Sequence, residues 1–175
     1  MGSDLRNLAE VDACHECDFE YRLERAPVAG RAIVDAAGQL AELVRRGTSD
    51  ARSRREPATW SPLEYACHVR DVLLVQRERV LMARRRHRPA LEPMGRDERV
   101  DHDGYAEQRP DDVARQLGDA AHLFANVLSR LGDEDWERPV VYGYPAPAER
   151  SLRWVAVHTL HEVHHHLFDV RRQLA

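Results

Sequence analysis

Apolar residues recur at intervals of three and four in four separate stretches of the chain, and that period restricts it to helices packed on helices. In the first stretch, residues 27–46, Ile33, Ala36, Ala37, Leu40, Leu43 and Val44 form one stripe that stops at Gly47. The second begins at Ser61, Pro62 and Glu64, directly after Trp60. This order supplies an N-cap, a proline at the first helical position and the reciprocal Glu of a capping box. It is expected to run to His87 and to end on Arg84, Arg85 and Arg86, cations that complement the helix dipole. The third opens at Pro110 with Asp111 and Asp112 and follows Val113, Leu117, Ala120, Phe124, Leu128 and Leu131 to Gly132. The fourth is capped by Ser151 and extends to about Gln173. Between them, residues 48–59 are polar and basic with Pro57, and residues 89–109 read as a long loop. Residues 133–150 hold Trp136, Pro139, Pro145 and Pro147 around a short extended run, Val140 to Tyr142. The fold class expected is all-α, a four-helix bundle with long connections, up-and-down or crossover in topology.

A chain of 175 residues buries about two-thirds of its unfolded surface, enough for a core without disulfide staples. One domain over 1–175 is expected, with residues 1–26 as an N-terminal extension. All 26 basic residues are Arg, which removes Schiff-base lysines and the phosphate-binding lysine of a P-loop. The acidic residues leave a net charge of -4, so there is no basic footprint for nucleic acid. The missing Lys reads as the coding bias of a GC-rich source. Three Cys, Cys14, Cys17 and Cys67, are too few and odd in number for a disulfide framework, and no secretory leader pattern is present. A reducing cytoplasm is the expected compartment. No apolar run approaches the roughly 20 residues of a membrane span.

Ten His residues are present, and His158, His161, His164, His165 and His166 fall within the last helix. Its apolar stripe is Leu160, Val163, Leu167, Val170 and Leu174, whereas His158, His161 and His165 lie on a different face flanked by Trp154 and Phe168. His161 and His165 are one turn apart, about 6 Å along the axis, so both imidazoles can converge on one ion. His161, Glu162 and His165 also satisfy the H-E-x-x-H pattern of zinc proteases literally, although the pair lies ten residues from the C-terminus and no downstream ligand follows. His158 stands about 10 Å from His165 along the axis and cannot share that ion with both. A third ligand must come from another helix, and His68, aligned with Val72 and Val75 on the second helix, is the candidate.

Trp60-Ser61-Pro62-Leu63-Glu64 leading to His68, followed by a last helix with His161-x3-His165, resembles the DinB-like four-helix metalloproteins, including the YfiT-type proteins. The Cys14-x-Glu16-Cys17 stretch, Tyr105-x-Glu107-Gln108 and the His165 to Val170 ending resemble actinobacterial members. The resemblance implies a DinB-like domain that binds a divalent metal, zinc or nickel, through His68, His161 and His165. Three ligands leave an open position, as catalytic sites do. It further implies a thiol S-transferase acting on a small electrophile with mycothiol as the low-molecular-weight thiol, in a homodimer. The Gln common three residues after the family's last ligand is Phe168 here, and His164 and His166 match no ligand position.

Glu162 and His158 are the candidate catalytic groups. Two other readings use the same residues: a hydrolase in which the metal activates water, and a non-catalytic metal-binding interaction protein. Cys14 and Cys17 have the spacing of half a zinc site or of a redox dithiol, so a second zinc there would need donors from elsewhere. Cys67 points about 100° away from His68 on the helix and reads as a small core residue. Asp71 could orient a ligand imidazole or lie at the helix surface.

Overall fold

Ser61 starts the second helix as its sequence dictates. Its Oγ accepts the Glu64 N–H at 3.2 Å, and the Glu64 carboxylate accepts the Ser61 N–H at 2.8 Å. Arg54 seals this box from the preceding loop, donating from Nε to Oε2 of Glu64 at 2.8 Å and from its terminal nitrogen to Oε1. The computed structural model describes residues 13–46, 50–143 and 146–175. The expected stop at Gly47 and the proline at 145 lie outside the described residues, as do residues 1–12 of the extension. In chain order the elements are α1 (Ala26–Arg46), α2 (Pro62–Arg85), β1 (Ala90–Leu91), α3 (Arg96–His102), α4 (Pro110–Leu128), α5 (Asp133–Trp136), β2 (Pro139–Tyr142), β3 (Ala148–Ser151) and α6 (Leu152–Leu174).

The four long helices α1, α2, α4 and α6 form the bundle expected from the four apolar stripes. α4 packs along both α1 and α2, and α6 packs along the same two from the other side. Helices α1 and α2, though consecutive among the four, touch little and stand diagonally opposed. The bundle is therefore of the crossover kind. Close approach of α1 and α4 relies on small residues: Ala26, Ala29, Ala36, Ala37 and Ala41 are buried on one, Ala114, Ala120 and Ala121 on the other. Gly30 faces Ala125, where an added Cβ would meet Ala125 atoms at 3.3 Å. Ile33, Leu40, Leu73, Leu117, Phe124 and Leu152 fill the centre with no exposure.

The connections hold more structure than their composition predicts. Residues 89–109 are not a structureless loop: β1 pairs in parallel with β2, Ala90 opposite Val141, and β2 pairs antiparallel with β3. The resulting sheet has three strands in the order β1-β2-β3. A two-residue strand whose partner lies fifty residues away leaves no period to read. Asp71 fastens the rest of this segment to α2. Its carboxylate accepts from Tyr105 Oη at 2.7 Å, from Arg70 Nε at 2.8 Å and from Arg99 at 3.2 Å. Both alternatives for Asp71, orienting a ligand or lying at the surface, give way to this role, because all three partners are structural and the side chain is buried. Cys67 is fully buried as expected, with its thiol toward the Tyr105 carbonyl, and burial pushes its pKa up to about 12. Pro93 to Asp97 of this segment line a cavity together with residues of α2 and α6.

Candidate metal centre

Helix α6 carries His161, Glu162, His165 and His166, and these make two overlapping pairs at i and i+4. One residue of offset rotates a side chain by about 100° around the helix, so the pair Glu162/His166 faces one way and the pair His161/His165 another. Glu162 and His166 face α2. Nε2 of His68 and Nε2 of His166 stand 4.0 Å and 3.9 Å from the same oxygen, Oε2 of Glu162. The rings of His68 and His166 meet edge to face at 5.0 Å, and His68 also packs on Trp60. Behind His166, Oδ2 of Asp169 lies 3.1 Å from Nδ1. That is the carboxylate–imidazole arrangement that orients metal-binding histidines and leaves the distal nitrogen toward the ion.

The pair His161/His165 faces the segment before α1. Donor atoms of Cys14, Cys17, His161 and His165 lie within 4.8 Å of one another, as do those of His68, Glu162 and His166. Two further groups, His158/His161/Glu162 and His165/His166/Asp169, share members with these. None of the four groups among the described residues joins His68 to His161 or His165. His166, which matched no ligand position in the sequence, stands with His68, and Glu162, a candidate catalytic group, stands with both.

The electrostatics suit cation binding. Burial pushes the His68 imidazole down to about 3 and that of His161 to about 4, and His158 is likewise lowered by burial. These rings are neutral at pH 7, with lone pairs free to ligate. Burial alone would raise Glu162, but the imidazoles of His158, His166, His68 and His161 around it outweigh that and hold it below the usual carboxylate value. Two imidazole nitrogens and one carboxylate oxygen are a donor set that divalent zinc accepts. Nδ1 of His68 is buried with no hydrogen-bond partner.

This group lies in the wall of a cavity of about 410 Å³, within the size range of small-molecule sites. Val72, Val75, Pro93 and Met94 give it an apolar side, while Gln76, Arg79, Arg96 and Tyr142 give it polar groups. Gln76 donates to Tyr142 Oη at 2.9 Å, which fixes the phenol against Trp154, 5.0 Å away. His158 completes that wall: it stacks on Trp154 at 4.4 Å, and its Nε2 stands 3.8 Å from Oε1 of Glu162.

A family model described as DinB superfamily matches residues 22–168. The chain belongs to the DinB superfamily. Its fold is similar to that of YfiT from Bacillus subtilis, described as a probable metal-dependent hydrolase with an unusual four-helix bundle topology. The TM-score is 0.74 at 15% identity, over 86% of this chain and 88% of that one. No curated protein shows significant similarity to the sequence. The matched region of this DinB-superfamily chain contains all of His68, Glu162 and His166 and excludes Cys14 and Cys17. Arg79 lies within it and Tyr21 and Asp169 lie one residue outside its two ends; none of the three is among the site residues expected from the sequence. Asp169 could have been found as the acid three residues after His166, whereas a tyrosine that reaches α6 from outside the bundle leaves no local pattern. No helix of the described residues is long and apolar enough to cross a membrane.

Proposed function

We propose that this chain is a divalent-metal-dependent enzyme whose ligands are His68, Glu162 and His166, and that it transfers a low-molecular-weight thiol to a small electrophile. The observation that carries the reading is the convergence of two imidazole nitrogens on one Glu162 oxygen at 3.9 Å and 4.0 Å, in the wall of a cavity. This ligand set replaces His161 and His165, taken from the sequence, by the pair one residue further on. A metal bound by three protein donors keeps an open position, where it lowers the pKa of a thiol or water and polarises an electrophile.

The chain's own residues do the rest. Asp169 holds the His166 ring with its distal nitrogen toward Glu162. Trp60, Val72 and Met94 receive the apolar part of the substrate and exclude water from it. His158, neutral and locked by its stack on Trp154, presents Nε2 to the cavity, where its N–H donates a hydrogen bond to the electrophile as the new carbon–sulfur bond forms. The thiol's proton leaves to solvent, and the adduct takes up one proton from solvent. Mycothiol is the thiol that the actinobacterial resemblance suggests.

A hydrolase reading has one observation in its favour, the structural likeness to a protein described as a probable metal-dependent hydrolase. The same His158 would then donate its Nε2–H hydrogen bond to the leaving group, which takes its proton from solvent. The two readings separate by co-substrate dependence. Zinc- or nickel-loaded protein is assayed against a panel of small electrophiles and esters with and without thiol. Turnover that requires the thiol and is lost in His68→Ala and His166→Ala is the expected result. Equal turnover without thiol makes the protein a hydrolase, and no turnover in either arm with metal bound makes it a non-catalytic metal-binding protein.

A further inference from the structure

The segment before α1 folds back on itself. Ala13 bridges antiparallel to Glu20, the Cys14 N–H donates to the Phe19 carbonyl at 2.8 Å, and Asp18 takes a φ of 55° to complete the reversal. A left-handed Asp is uncommon, so the local preference of the chain does not by itself explain the turn. Its effect is to point the thiols of Cys14 and Cys17 to one side, toward α6. Phe19 is buried there against the rings of His161 and His164, at 5.3 Å and 5.6 Å.

Four donors meet across this contact. Cys14 Sγ stands 3.6 Å from Nδ1 of His165, and one donor atom from each of Cys14, Cys17, His161 and His165 lies within 4.8 Å of the others. All three cysteines are free thiols. The second nitrogens of both rings are held from behind. Nδ1 of His161 lies 2.7 Å from Tyr21 Oη, and Nε2 of His165 lies 3.4 Å from a Glu16 oxygen and 3.6 Å from Oδ2 of Asp169. The remaining nitrogen of His161, Nε2, is buried with no hydrogen-bond partner. A buried polar atom left unpaired is destabilising, and a ligated ion would satisfy it.

We infer that Cys14, Cys17, His161 and His165 form a second, closed metal site that takes zinc and fastens the N-terminal hairpin to α6. Two thiolates and two neutral imidazoles balance the charge of one zinc ion, and its binding releases the two thiol protons to solvent. Four protein ligands leave no open position, so this site is structural while the cavity group beside it stays open. It also acts on the cavity. With Nε2 of His161 given to the metal, its Nδ1 carries the hydrogen and donates to Tyr21 Oη. Tyr21 in turn donates to Nδ1 of His158, 3.0 Å away, which leaves His158 with its hydrogen on Nε2, facing the cavity.

The test uses the full chain purified under reducing conditions, with metal content measured per chain and cobalt substituted for zinc. Cobalt bound by thiolates shows intense charge-transfer absorption in the near ultraviolet, which imidazole and carboxylate ligands do not give. Wild type is expected to show that band. The double variant Cys14→Ser/Cys17→Ser is expected to lose the band and one metal equivalent, and His68→Ala/His166→Ala to keep the band and lose the other equivalent. Absence of the band in wild type overturns the inference, and this arm needs no variant to fold. So does a Cys variant with unchanged metal content, or loss of the band in His68→Ala/His166→Ala. If the wild type binds a single equivalent with the band present, the second site stands and the cavity ligand set fails.

Discussion

Asp169 touches a histidine of each donor group, so replacing it tests how the site is built. Its Oδ2 lies 3.1 Å from Nδ1 of His166 and 3.6 Å from Nε2 of His165, and its side chain is only 10% exposed. Burial would raise its pKa, but the His166 hydrogen bond and the neighbouring His165 and Arg172 charges prevail and hold it below the usual value. It therefore acts as a carboxylate, making each ring behind it a better donor. Outer partners of this kind are worth about 10–100-fold in metal affinity, roughly 1.4–2.7 kcal/mol. Asp169→Asn keeps an oxygen that accepts from His166 and loses only the charge, so the lower end, about tenfold, is expected. Asp169→Ala also loses the orientation of the ring, and the upper end, about a hundredfold, is expected. Competition for zinc against a chromophoric chelator measures both, and the same titration in the Cys14→Ser/Cys17→Ser background isolates the cavity site. Thermal unfolding with a metal chelator present serves as a control for fold. Zinc affinity in that background within twofold of the parent for both variants would refute the reasoning, because His166 would then not be a ligand oriented through Nδ1.

Other outcomes follow from the same geometry. His158→Phe keeps the stack on Trp154 and is expected to reduce turnover by about 10²–10³-fold, the usual worth of a positioned hydrogen-bond donor, with unchanged metal content; full activity would remove His158 from the chemistry. Glu64→Gln weakens the box that starts α2. Charged hydrogen bonds contribute about 1.5–3 kcal/mol, and partial exposure of Arg54 screens its share, so a loss of about 1–2 kcal/mol in chemical denaturation at pH 7 is expected. Although burial raises it, bonding to Arg54 and Ser61 holds Glu64 below its ordinary value of 4.5. Its contribution is thus fully present above pH 4.5 and lost as pH falls through the folded-state value. The difference between wild type and variant should shrink on that acid limb, and a constant difference down to full protonation would contradict the assignment. Gly143→Ala would place a Cβ 2.6 Å from the Leu91 carbonyl oxygen, where the Gly143 N–H now donates at 3.0 Å. A loss of about 1–3 kcal/mol is expected, and an unchanged melting temperature would show that the β1–β2 edge is not held there.

The helices were legible because their signals are local. Ser61, Pro62 and Glu64 mark a helix start that any chain would use, and the stripes of α1 and α4 match their buried faces. The site was legible only in part, for a geometric reason. H-E-x-H-H-H offers two i, i+4 pairs about 100° apart, both bordered by apolar residues. Choosing between them needs the rotation of α6 about its axis, which packing against α1 and α2 sets. Trp154 and Phe168 flank the His161/His165 face in the sequence, whereas in the structure Phe19 and Tyr21 from the N-terminal hairpin pack on His161. No pattern in the last helix announces that a segment some 140 residues earlier docks there. The link from β1 to β2 and the pinning of Tyr105 by Asp71 were illegible for the same reason, since each joins residues far apart in sequence through one or two contacts.

Anomalous diffraction at the zinc edge, from crystals of the metal-loaded protein, locates the ion. A peak is expected bounded by Nε2 of His68, the Glu162 carboxylate and Nε2 of His166, with its remaining coordination open to the cavity. A peak ligated by His68 together with His161 and His165, or no density between His68 and His166, would contradict this ligand set.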